Sequence, residues 1–132
     1  MINIFNELYT YLVDTLADYD SNIKTSSVYQ NVPTEYPFVS FEEIVDAVYS
    51  LTSDDCNIEN HAQKEYEVNI YTQKPNKKSK ADAIANIIDN MMSRYGFTRV
   101  SKNAIQDTNE TIYRIILRYD GIVSKEHIVY RR

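Results

Sequence analysis

Glycine, proline, cysteine and tryptophan are nearly missing from this 132-residue chain: two Gly, three Pro, one Cys and no Trp. So little Gly and Pro excludes collagen-like and low-complexity architectures. Gly96 and Gly121 stand far apart and build no phosphate-cradling loop. The lone Cys56 cannot close an internal disulfide, so folding in a cytosolic compartment is expected. No helix start or basic neighbour beside Cys56 would lower its thiol pKa, and it reads as a passive loop thiol. Histidine is almost as scarce. His61 and His127 lie in separate segments with no Cys or carboxylate at ligand spacing, so no metal site is expected. No segment approaches the ~18 apolar residues that cross a membrane, and no membrane partner is expected. The opening Met1-Ile2-Asn3-Ile4 has no basic start and no long apolar run, so it does not read as a secretion signal.

What is present describes an ordinary folded chain. Hydrophobic residues make up 43% and charged residues 25%. One domain over residues 1–132 is expected, with a core large enough to need neither disulfide nor metal. The net charge is −5 and the pI about 5.0, which argues against whole-surface attraction to nucleic acid. Tyrosine is abundant, with 12 residues against 4 Phe. Tyr suits surfaces that are half buried or become buried on assembly; codon bias towards AT-rich codons gives the same excess.

Hydrophobic spacing sets out the elements. Ile4, Leu8, Leu12 and Leu16, joined by Tyr11 and Tyr19, predict a helix over Ile2 to Tyr19, with Asn3 as N-cap and Asp20-Ser21-Asn22 as the stop. Lys24 to Ser27 reads as a polar stretch and Ser27 to Gln30 as a short extended piece. Phe38 to Ile44 reads as a strand that Val45 to Leu51 either continues or leaves, and Thr52 to Asp55 as a turn. His61 to Thr72 is the clearest strand. Ala62, Tyr66, Val68, Ile70 and Thr72 form its dry face; Gln63, Glu65, Glu67 and Asn69 form the other, followed by Tyr71. Ala81, Ile84, Ala85, Ile88, Met91, Met92 and Tyr95 make a helical stripe from about Lys78, stopped by Gly96. Phe97 to Ile105 and Thr111 to Tyr119 follow as strands joined by a polar turn at Gln106 to Asn109. Asp120-Gly121 carries a turn signal before a short return strand, Ile128 to Tyr130. The expected class is α+β: a mostly antiparallel sheet of four or five strands with two helices packed on one face.

Nothing in this pattern resembles catalytic machinery. Glu42-Glu43 and Asp54-Asp55 are neighbours that a strand would point to opposite faces. Glu65 and Glu67 share a face, but no pocket that would split their pKa values is visible. No catalytic residue, cofactor or metal is therefore expected. Lys74, Lys77, Lys78 and Lys80 crowd the start of the second helix, where positive charge opposes the helix dipole. Contact with an acidic partner would explain them, as would a solvated loop; Lys125, Arg131 and Arg132 form a second basic spot with the same two readings. The second sheet face is expected to carry Glu65, Glu67, Arg114 and Arg118, and such a face can meet a neighbouring copy head to tail in a ring. The candidate interface is Glu65, Glu67, Tyr71, Lys77, Lys78, Arg114 and Arg118.

The order of short motifs resembles the tail-terminator and tail-completion proteins of long-tailed phages. Val28-Tyr29-Gln30-Asn31-Val32-Pro33 follows the first helix. Tyr36-Pro37-Phe38-Val39-Ser40-Phe41 resembles that family's Pro-Phe/Tyr-Val strand. Tyr66-Glu67-Val68-Asn69-Ile70-Tyr71, leading through Lys77 and Lys78 into Ala81 to Met92, resembles its central strand–helix unit. Gly96-Phe97, Tyr113-Arg114-Ile115 and Arg118-Tyr119-Asp120-Gly121 resemble its closing strands. The resemblance implies a homo-oligomeric ring, usually a hexamer, that caps the tail tube, ends its polymerisation and offers a surface for head attachment. Its implied partners are copies of itself, the tail tube protein and a head or neck connector protein, with DNA passing through the lumen without specific binding. The implied location is the virion tail or neck, assembled in the bacterial cytoplasm. Two other readings stay open: a head-completion or connector protein of the same neck region, and a small nucleic-acid-binding module using the lysines and tyrosines.

Overall fold

The computed structural model describes residues 2–27, 35–48, 61–73, 76–106, 112–124 and 126–130. The extended piece at Val28 to Gln30, the turn at Thr52 to Asp55, the turn at Asp107 to Asn109 and the residues Cys56, Lys74, Lys125, Arg131 and Arg132 lie outside them.

Helix α1 runs from Phe5 to Tyr19 and buries Leu8, Leu12 and Leu16, the four-residue stripe read from the sequence. The N-cap is Ile4, one residue later than the Asn3 expected, and makes no side-chain cap bond; Asn3 Oδ1 nevertheless accepts the Phe5 backbone N–H at 3.0 Å, a free donor of the first turn. Asp20 ends the helix, and its Oδ1 accepts the Asn22 N–H at 2.9 Å. Helix α2 spans Lys77–Tyr95 and buries Ala81, Ile84, Ala85, Ile88, Met91 and Met92. Gly96 stops it with φ 113°, and its N–H bonds back to the carbonyls of Met92 and Ser93, a conformation that costs a Cβ-free residue little.

The strands are β1 (Lys24–Ser26), β2 (Phe38–Val48), β3 (His61–Gln73), β4 (Thr98–Gln106), β5 (Ile112–Ser124) and β6 (Val129–Tyr130). They form one sheet in the order β1-β2-β3-β5-β4, with β6 paired to β5. The sheet is mostly antiparallel and the class is α+β, as expected; the single parallel pair among the described strands is β1 with β2. β3, α2 and β4 form a crossover, and β5 returns between the two strands it joins. β1 falls on residues read as a polar stretch. An edge strand needs no apolar face to pair, and Lys24 N–H reaches the Pro37 carbonyl at 2.9 Å.

Both helices cover one face. Phe5 of α1 stacks on Phe41 of β2, which stacks on Tyr66 of β3 (centroids 5.5 and 5.2 Å), and Phe97 meets Tyr66 edge-on at 5.4 Å. Val68, Ile70, Ile115 and Leu117 complete this floor, all fully buried. The turn expected at Asp120-Gly121 is a correction: β5 runs through both residues to Ser124, unbroken. Gly121 is there for room. A Cβ on it would stand 2.8 Å from Phe97 Cδ1 and 3.0 Å from Val129 Cγ1, closer than packed atoms tolerate.

Candidate functional interface

The strand register sorts the charged residues by face. Even-numbered residues of β3 point to the helices. Odd-numbered ones point outward with Phe38, Ser40 and Glu42 of β2 and with Arg114, Ile116, Arg118 and Asp120 of β5. Five of the candidate interface residues, Glu65, Glu67, Tyr71, Arg114 and Arg118, therefore share the outer face. Lys77 and Lys78 do not join them. They open α2 on the helix side, where the Thr72 hydroxyl donates to the Lys77 carbonyl at 2.7 Å.

Within this face the arginines already have partners. Glu67 lies directly opposite Arg118, with a carboxylate–guanidinium distance of 3.7 Å. Arg114 donates through Nε and Nη2 to Asn69 Oδ1 at 3.1 and 2.7 Å. Its guanidinium also stands 5.3 Å from the ring centroid of Tyr71, a cation–π distance. Tyr71 is buried and meets Phe38 across the β2–β3 pair at 6.1 Å. Two further acids stand on this face: Glu42, opposite Glu67, and Asp120, opposite Glu65. The sequence reading missed both. Parity from Phe41 would have placed Glu42, and Asp120 was hidden by the apparent turn.

The helix side holds a buried cation that the spacing also concealed. Lys64 is fully buried on the dry face of β3, between Ala62 and Tyr66. Its ammonium sits 2.7 Å from Asp46 and 3.2 Å from Glu43, and donates to the Ile2 carbonyl at 2.7 Å. A β-bulge between Glu43 and Val45 makes this possible. The extra residue, Ile44, shifts the parity so that Glu43 and Asp46 both point inward. The Tyr66 hydroxyl donates to the same Glu43 at 3.1 Å. Burial, then the Glu43 carboxylate, push its ionisation well above the usual tyrosine range.

Two other tyrosines behave alike. Tyr119 donates to Asp89 of α2 at 2.9 Å, and Arg99 approaches the same carboxylate at 3.5 Å. Tyr95 donates to Glu7 of α1. Burial first, and the bonded carboxylate second, raise both. These acids are engaged in joining elements: Asp89 ties the sheet to α2, and Glu7 ties α1 to α2. Asp89, Arg99 and Tyr119 also line a recess of about 180 Å³ with Ser93, Phe97 and Thr98. A shallow groove of about 380 Å³ runs between α1 and α2 past Tyr11, Asp18, Ile87 and Arg94.

Of the two histidines, His127 lies 3.9 Å from Glu7 and His61 begins β3. Among the described residues no three His, Cys, Asp or Glu side chains converge to hold a metal ion. No helix is long and apolar enough to cross a membrane.

No protein-family model matches the chain, and no curated protein matches it. Among solved structures it is similar to the bacteriophage SPP1 gp17 protein, at 16% identity over 86% of this chain and 88% of that one, with a TM-score of 0.41.

Proposed function

We propose that this chain is a structural assembly protein of a phage neck or tail, forming a ring that caps the tail tube and presents a surface to the head. Its work is fit to copies of itself and to an adjoining cylinder, and no bond-making is assigned to it. One observation carries the reading: both helices pack on one face of the sheet, while the other face bears Glu42, Glu65, Glu67, Arg114, Arg118 and Asp120. A two-layer fold keeps one broad side of its sheet for water or a neighbour. Phe38, Ser40, Asn69 and Tyr71 of that side are buried within the chain, so what it offers a neighbour is its half-exposed charged residues, a composition suited to a polar, heterologous subunit contact.

The motif order supports the phage context. The Tyr36 to Phe41 motif forms the start of β2, the Tyr66 to Tyr71 motif lies in β3 and leads to α2, and the Arg118 to Gly121 motif sits inside β5. They fall on three adjacent strands of one sheet, so the resemblance concerns one continuous surface. The acidic balance of −5 suits a lumen through which DNA slides without sticking.

Electron microscopy of particles assembled without this protein tests the role. Overlong tails are expected of a lost terminator. Tails of normal length detached from heads would assign it to head joining, and unaltered particles would overturn the reading.

A further inference from the structure

We propose that β4 of one copy of this chain pairs edge to edge with the second half of β2 in the next copy, so that the sheets run on around the ring. This rests on the ring reading above and identifies the seam between neighbours.

The sheet has two ends, and each leaves a strand open. Among the described strands β4 pairs with β5 alone. Its other side turns a row of backbone N–H and C=O groups outward. The helix layer stops short of it. Lys102 and Ala104 stand opposite Leu117 and Ile115 on the helix side, yet both are exposed, as are Arg99, Val100, Asn103 and Ile105. At the other end β1 covers β2 from Phe38 to Ser40. From Phe41 to Val48, that edge of β2 meets no strand among the described residues. Ile44, Asp46 and Ala47 of this stretch are exposed.

Three features match the two edges. The first is direction. β2, β3, β5 and β4 alternate antiparallel, so β4 runs opposite to β2. Copies set side by side by rotation then bring β4 against β2 antiparallel, the more stable ladder, with every helix on the same side. The second is charge. β4 holds Arg99 and Lys102 and no acid, whereas Phe41 to Val48 holds Glu42, Glu43 and Asp46 and no base. The third is parity. Lys102 lies on the helix side with Leu117, and Asp46 lies there with Lys64. Setting Lys102 opposite Asp46 places Ser101 against Ala47 and Asn103 against Val45, all on the outer side. Ile44, Val100 and Ile105, large apolar side chains that the fold leaves exposed, then lie along the seam. Within its own chain Lys102 has a 3.9 Å contact with Asp82, between two partly exposed groups, which holds it weakly. A lysine and a bulge on an edge strand deter indiscriminate pairing, so this edge selects a partner with an acid in register. The seam joins two different surfaces, as a head-to-tail ring requires, and leaves the charged outer face open to the adjoining tube.

The test combines native mass spectrometry, hydrogen exchange and disulfide trapping of the full chain, alone and with tail tube protein. In the assembly, alternate amides of Ser101 to Ile105 and of Val45 to Ala47 are expected to exchange about tenfold more slowly than in the diluted monomer. In a Cys56→Ser background, a chain with Ser101→Cys mixed with one carrying Ala47→Cys is expected to form a mixed disulfide on oxidation, because paired strands hold opposed residues at bridging distance. Ser101→Cys alone is expected to stay uncrosslinked. Lys102→Glu is expected to weaken association about fivefold, with the diluted monomer still folded by circular dichroism. An assembly whose amides exchange at the monomer rate and which yields no mixed disulfide would overturn this inference and leave the ring reading standing. Efficient trapping of Ser101→Cys with itself would assign β4 to a two-fold contact and overturn it as well. A wild-type chain that stays monomeric with and without tail tube protein would remove both readings.

Discussion

Lys64 is a residue whose charge only its neighbours make tolerable. A buried ammonium costs several kcal/mol unless opposite charges and hydrogen bonds meet it. Here Asp46, Glu43 and the Ile2 carbonyl do so at 2.7, 3.2 and 2.7 Å. Lys64→Met should lower stability by roughly 3 kcal/mol, the low end for a broken buried pair because both carboxylates keep some solvent contact. Urea unfolding measures it, and adding Glu43→Gln with Asp46→Asn should recover most of the loss. Hydrophobic alternation identified Ala62, Tyr66, Val68 and Ile70 as one face, and all are buried. It passed over Lys64 between them. Alternation reports which face is dry, not which charged member of that face has partners, and those partners come from β2 through a bulge that no local motif announces.

At the scale of elements, both helices and β3 were legible because each repeats its period over several turns or pleats. β5 was read too short and β1 not at all. Asp120-Gly121 has the composition of a turn, but a glycine signals either a bend or a close approach, and only the packed structure distinguishes the two. Gly121→Ala should destabilise the protein by about 1–3 kcal/mol through its contact with Phe97. In a Phe97→Leu background the same change should cost markedly less, a coupling that a double-mutant cycle in denaturant reads directly. Equal losses in both backgrounds would point to a backbone effect at residue 121. The candidate interface was partly legible for the same reason. Strand parity brought Glu65, Glu67, Arg114 and Arg118 together, while nothing local shows that Glu67 already faces Arg118, or that the lysines lie beyond the sheet.

Across the whole molecule, three tyrosine hydroxyls tie separate elements together. Tyr66 bonds β3 to β2, Tyr119 bonds β5 to α2, and Tyr95 bonds α2 to α1. Each ionises above the ordinary value of 10.0, burial being the first cause. The folded state thus holds these protons more tightly than the unfolded chain. Their contribution is complete below the unfolded pKa near 10 and is lost as pH rises above it. Unfolding free energy should therefore decline in alkali. Tyrosinate absorbance from these three should appear together with loss of helical circular dichroism, after the exposed tyrosines have titrated. Replacing Tyr119 by Phe should flatten the alkaline slope.

The unbroken length of β3 and β5 has a mechanical side. Each has thirteen residues, which at ~3.3 Å per residue makes a ladder about 43 Å long. Tension along that axis loads many hydrogen bonds in shear at once. The β1–β2 pair, three residues long at the rim, has few bonds to share a peeling force. Under traction the rim should yield first, while the central ladder keeps the subunit's shape.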